Sequence, residues 1–308
     1  MSDRRRPLRV GVQLPEVERE VRWPETLAMA RAAEAIGLDS LWVGDHLLYR
    51  SAGRPARGPW EAFSVLAALA AATQRIQLGP LVAATSFRAP ALLAKMATTV
   101  DEISGGRLIL GLGAGWNETE YRAFGFPFDQ RVARFEEAFT IVRTLLREGR
   151  IDFEGRFYSA RDCELLPRGP RPDGPPLMIG SIGARMLRLT APHVDAWNAW
   201  HDWFGNGAAG LPPLLASVAE AETAAGRATG SIERTVTALV AFPGAIGRDG
   251  GDPGHGTPSP LSSDPTALAA VLRQYAAMGV GHVQLVLDPI TVGSIEALAP
   301  MLEGLDGA

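Results

Sequence analysis

Cysteine is almost missing: Cys163 is the only one among 308 residues. No disulfide can form within the chain, no multi-cysteine zinc site can be built, and a reducing cytoplasmic compartment is expected. Lysine is equally scarce. Of 30 basic residues only Lys95 is not arginine, which reads as a coding bias and leaves one candidate for Schiff-base chemistry, inside a helical pattern away from any strand end. Excess positive charge is absent too: the formal net charge is −4 and no basic run exceeds Arg4-Arg5-Arg6. Nucleic acid therefore has no electrostatic footprint, and an anionic ligand must be held by arginine or by backbone amides. No segment approaches the ~18 apolar residues of a membrane span, and the basic start, Met1 to Arg6, runs into a strand pattern and not into a signal peptide. The five histidines (His46, His193, His201, His255, His282) form no H-x-x-x-H pair, and no G-x-S-x-G elbow occurs, so no metal site and no serine nucleophile are expected.

What remains is an ordinary globular composition, 46% hydrophobic and 21% charged, whose pattern alternates strands with helices. Short runs rich in Val, Ile and Leu mark strands at 8–14, 40–44, 76–82, 108–112, 177–180, 195–200, 235–242 and 282–287. Helical periods fall at 24–36, 60–73, 90–103, 131–148, 214–225 and 267–278, several opened by proline and closed by glycine. This pattern predicts an α/β fold; a doubly wound sheet is the alternative, but eight such units in one chain favour a (β/α)8 TIM barrel forming a single domain over residues 1–308. The rhythm breaks at 150–176, read as an insertion after the fourth βα unit, and the Gly/Pro/Ser-rich stretch 242–264 reads as a mobile late loop.

In such a barrel the loops after each strand carry the chemistry. The second strand ends Trp42-Val43-Gly44-Asp45-His46, where an Asp-His pair suits proton handling; the plainer alternative is a turn cap beside a packed ring. The third ends in small residues (Ala83, Ala84) that leave room for a flat ligand or only for close helix packing. The fourth ends Gly111-Leu112-Gly113-Ala114-Gly115-Trp116-Asn117, whose glycines admit either a ligand or a tight turn. The fifth ends Gly180-Ser181-Ile182-Gly183, a cradle of amides for an anion such as phosphate, or a plain helix cap. With no metal, Schiff base or nucleophile in view, a bound organic cofactor is the expectation.

The ordered motifs Ser40 to His46, Phe87-Arg88 with Pro90 to Lys95, Leu108 to Tyr121 (LILGLGAGWNETEY), Arg131 to Phe135, Phe153 to Tyr158, Leu177 to Leu189 and Pro192 to Asn198 resemble the luciferase-like monooxygenase superfamily. The resemblance is nearer to its branch of coenzyme F420-dependent oxidoreductases. It implies a deazaflavin or flavin at the strand C-termini, with His46 exchanging a proton and Asp45 tuning it. It further implies a non-prolyl cis peptide within Leu81 to Ala84, and cofactor contacts from Val82, Ala83, Ala84, Gly113, Gly115, Asn117, Gly180, Ser181 and Gly183. Where sugar-phosphate dehydrogenases of that branch carry a glutamate after the glycine run, this chain has Trp116, which weakens that substrate. Trp116, Trp200 and His201 are candidates for the substrate pocket, with Trp60, Trp197, Trp203 and Phe204 as further aromatics. The function implied is F420-dependent hydride transfer to or from a small molecule. The alternative is an FMN-dependent two-component monooxygenase fed by a separate flavin reductase. A third reading is a barrel without a flavin, with Asp45 or Asp288 as base. A homodimer is expected in this superfamily.

Overall fold

The computed structural model describes residues 6–50, 53, 55–247 and 258–307. The chain opens with β1 (Arg9–Gln13), α1 (Trp23–Ile36), β2 (Ser40–Val43), α2 (Ala62–Ala72), β3 (Gln77–Pro80), β4 (Ala83–Ala84) and α3 (Pro90–Ser104). Next come β5 (Leu110–Gly113), α4 (Glu118–Phe124), α5 (Arg131–Glu148), β6 (Arg150–Glu154) and β7 (Ser159–Glu164). The second half runs β8 (Leu177–Gly180), α6 (Ala184–Thr190), β9 (Ala196–Ala199), α7 (Leu211–Ala224), β10 (Glu233–Ala241) and β11 (Leu261–Ser262). It closes with α8 (Pro265–Ala277), β12 (Val280–Asp288), α9 (Val292–Glu296) and α10 (Ala299–Asp306).

The main sheet runs β3-β2-β1-β12-β10-β9-β8-β5-β4 with parallel pairings throughout. β3 and β4 are two halves of one strand, divided at Leu81–Val82, whose peptide bond is cis. A parallel bridge between Leu78 and Leu108 joins the two ends of the path, with the Ile109 amide donating to the Leu78 carbonyl at 2.9 Å. The ring therefore closes as eight parallel strands, the (β/α)8 barrel expected from the pattern. Residues 150–164 form an antiparallel hairpin, β6 with β7, hanging from the end of α5. Among the described residues no helix is long and apolar enough to cross a membrane.

Two packed regions follow from strand alternation. Leu41 and Val43 of β2 face outward into the large apolar layer between barrel and helices, while Trp42 faces inward with Leu81, Ile109, Met178 and Ala196. The lumen also holds polar groups, and they pair with one another. The Trp42 indole donates to Ser40 Oγ at 2.7 Å, which lies 2.7 Å from His282 Nε2. Asn198 donates to Thr235 Oγ1 and Gln284 Oε1 at 2.8 and 2.7 Å. Burial, reinforced by nearby Arg9, drives the His282 pKa well below its ordinary value, so that ring is a neutral structural group.

Some expected boundaries shift. The second helix starts at Ala62 and not at Trp60, because the Glu61 side chain accepts from the Phe63 and Ser64 amides and caps it. α7 starts at Leu211, since Pro212 and Pro213 are tolerated in a first turn. The stretch 242–264 is not all loop: Leu261–Ser262 adds to β10, while residues 248–257 lie outside the described part.

Candidate active site at the barrel mouth

A cavity of about 410 Å³ opens at the C-terminal ends of the strands. That is within the size range of small-molecule sites. His46, just beyond β2, stands at its wall with 18% of its side chain exposed. His46 Nδ1 lies 2.8 Å from Glu120 Oε1. The second oxygen of Glu120 accepts the Leu47 amide at 2.8 Å, so one α4 carboxylate fixes both the ring and the backbone that carries it. On the other side His46 Nε2 lies 3.6 Å from Glu16 Oε1. Glu16 accepts in addition from the Tyr49 hydroxyl and from Gln13 Nε2. Burial alone would lower the His46 pKa, but Glu16, Glu120 and, least, Asp45 together raise it. The site is a histidine held between two buried carboxylates, which favour its protonated form.

Asp45 also lines the cavity and adds the smallest of the charge effects that raise the His46 pKa, without touching the ring. Its two oxygens accept from Arg88 at 2.7 and 2.8 Å, and Oδ2 also accepts the Ala84 amide at 2.9 Å. It ties β2 to the β4 end and leaves direct contact with His46 to Glu120. Asp288, the other carboxylate at a strand end, accepts the Gly247 amide at 2.8 Å. It lies outside the cavity lining.

The glycines that end β5 and β8 owe their identity to Val82. A Cβ at Gly113 would lie 2.8 Å from Val82 Cγ2, and one at Gly180 3.1 Å from both its methyls. The Val82 side chain thus lies over glycine positions of β5 and reaches Gly180 at the end of β8, the next strand along, and supplies an apolar face to the cavity. Gly115 adopts φ +73° and packs on the Tyr121 hydroxyl, which donates to the Ala114 carbonyl at 2.8 Å. Ala84, Ser181 and Gly183 also line the cavity, and the Trp197 indole holds that last turn by donating to the Ser181 carbonyl at 2.8 Å. Arg131, at the start of α5, supplies a cation on the cavity wall; it lies over the Phe128 ring and donates to the Gly115 carbonyl at 2.9 Å.

Three expected residues are not at the cavity surface. Ala83 is fully buried behind it. Asn117 turns away and donates to the Leu48 carbonyl at 2.9 Å, bracing the β2 and β5 loops. His201 is buried, with Nδ1 2.6 Å from Asp202 Oδ1. Of the aromatics, Trp116, Trp200 and Trp203 line the cavity. Trp60 is largely exposed elsewhere, and Trp197 and Phe204 are core. Glu16, Tyr49, Glu120 and Arg131 were not singled out from sequence. Glu16 follows the first strand, so the rule that chemistry collects at strand ends points to it; nothing local marks Glu120 apart from Glu118.

A family model described as luciferase-like monooxygenase matches residues 8–243. The 5,10-methylenetetrahydromethanopterin reductase of Archaeoglobus fulgidus is 31% identical over 176 residues, covering 57% of this chain and 49% of the relative. Pyrimidine monooxygenase RutA of Cronobacter sakazakii is 37% identical over 179 residues, covering 56% and 51%. The chain thus spans about half the length of these curated relatives. A solved F420-dependent secondary alcohol dehydrogenase, in complex with an F420-acetone adduct, superposes with a TM-score of 0.81 at 18% identity, covering 97% of this chain and 99% of that one. At that identity the likeness speaks for the fold alone.

Proposed function

This chain belongs to the luciferase-like monooxygenase family, and from that premise we propose that it is a coenzyme F420-dependent oxidoreductase acting on a small organic molecule. The observation that carries the reading is the placement of His46, between two carboxylates, on the wall of an aromatic cavity floored by Val82. The residues present fit a flat ring with an anionic tail. Val82 offers an apolar face, the turn Ser181 to Gly183 offers backbone amides, and Arg131 offers a cation on the same wall. When bound, the cofactor would supply the hydride acceptor or donor. His46 then holds the proton at Nε2, facing the cavity, while Glu120 fixes the ring through Nδ1. Trp116 and Trp200 wall off water and orient an uncharged, apolar substrate. The carboxylates beside His46 disfavour an anionic group at that end.

The second reading, an FMN-dependent monooxygenase working with a separate flavin reductase, is favoured by the 37% identity to a pyrimidine monooxygenase. Fluorescence titration with oxidised F420 and, separately, FMN decides between them. Micromolar F420 binding with much weaker FMN binding is the expected result. The reverse preference would hand the assignment to the monooxygenase, and binding of neither would overturn both.

A further inference from the structure

A second cavity, of about 340 Å³, lies beside the first and is bounded by the segment after β1, by Val43 and Leu48, by Val65 of α2, and by 56–60. Glu16 alone lines both cavities. Its place there is built by the sequence. Gly44 leaves the space its carboxylate fills, since a Cβ at that position would collide with it. The Glu16 amide donates to Glu18 Oε2 at 2.8 Å, and Arg57 donates to the Glu18 carbonyl at 2.8 Å, which ties down the outer wall. The Trp60 indole also donates to the Val21 carbonyl, at 2.7 Å. Glu20, Ala56 and Trp60 on its wall are exposed and none of them lines the first cavity, so the second cavity reaches solvent past a rim of its own.

We propose that this second cavity is a proton-exchange route, reaching His46 through Glu16 and bypassing the barrel mouth. The proposal rests on the reading that His46 handles a proton in the main cavity. A ligand-filled mouth bars bulk water from His46, yet a proton must cross between the imidazole and solvent in each turnover. The proton moves from His46 Nε2 to Glu16 Oε1, and the resulting carboxylic acid passes it to water in the second cavity; the return runs the same steps backwards. Only bonds to the moving proton change, and no electrons are transferred. The 3.6 Å separation exceeds a hydrogen bond, so a small swing of the ring or carboxylate completes each transfer. With each water taking roughly 30 Å³, the cavity holds several, and the charged side chains of Arg19, Glu20 and Arg57 on its wall offer them polar partners. The ionisable groups facing His46 itself are Glu16, Glu120, Tyr49 and Asp45.

The test uses the cofactor-free protein, so it stands whichever way the F420 and FMN titrations fall. Solvent exchange at the His46 ring is measured by nitrogen-15 NMR, with the resonance assigned by its loss in His46→Gln. Val65→Trp narrows the second cavity, Ile182→Trp narrows the mouth, and the double variant narrows both. Ile182→Trp alone should leave exchange near the parent rate, whereas the double variant should slow it at least tenfold. Glu16→Gln, which keeps the shape and removes the proton acceptor, should slow exchange comparably in the Ile182→Trp background. If Ile182→Trp alone is as slow as the double variant, protons use the mouth and the proposal fails. It fails equally if Glu16→Gln changes nothing in that background. Should Val65→Trp not fold, Val21→Phe fills the same space from the other wall.

Discussion

His46 and Glu120 are 74 residues apart in sequence and 2.8 Å apart in space, joined Nδ1 to Oε1 across the barrel mouth. The pairing fixes which imidazole nitrogen faces the cavity. His46→Gln should keep cofactor affinity within a few-fold, because the floor at Val82 and the turn at Ser181 are untouched. Turnover should fall on the order of 10²–10⁴, the usual contribution of a placed acid or base. Binding titration and single-turnover kinetics separate the two; unchanged turnover would remove His46 from the mechanism.

Glu120→Gln removes one of the charges that raise the His46 pKa and weakens the anchor of the Leu47 amide. The His46 pKa, followed by NMR, should drop toward or below the ordinary value of 6.5. The sign for stability follows. A raised histidine pKa contributes stability fully present below 6.5 and lost as pH rises through the higher folded value. The parent should therefore lose thermal stability over that interval, and Glu120→Gln should show a flatter profile there. A variant profile parallel to the parent's would mean that another group governs the slope.

Gly113→Ala places a Cβ 2.8 Å from Val82 Cγ2, closer than packed carbons sit. The substitution should destabilise by about 1–3 kcal/mol and weaken cofactor binding by displacing the floor. Val82→Ala removes the methyls concerned, so the double variant should recover most of the stability lost. Denaturant unfolding of the four proteins gives the coupling directly. Additive effects would show that Gly113 is needed for some other reason.

Far from the mouth, Glu222 at the end of α7 is buried and grips Arg234 through two contacts of 2.6 Å, as well as the Ile232 and Gly230 amides. Burial pushes its pKa up, but these partners outweigh that and hold it at about 2. Glu222→Gln leaves Arg234 buried without its counter-charge and should cost about 3–5 kcal/mol, read as a lower urea midpoint. Because the folded pKa is depressed, this contribution is present above 4.5 and fades as pH falls toward 2. An unfolding midpoint equal to the parent's would mean that water reaches Arg234.

Periodicity alone delivered the barrel: parallel strands covered on both faces must be apolar along their length, and glycine and proline mark where each helix stops and starts. That order placed His46 and the turn at Ser181 near the mouth before any contact was known. Local sequence could not say which carboxylate meets His46, because Asp45 is its neighbour in the chain while Glu120 and Glu16 reach it only when three βα units close into a ring. It also left open why glycines end β5 and β8, since the answer lies in the side chain of Val82 on a different strand. Asn117 and His201 looked like site residues by position, yet their side chains are taken up by Leu48 and Asp202. Local pattern sets which elements form and in what order; closure of the barrel decides which side chains share a cavity, because contacts between strands depend on register and not on sequence distance.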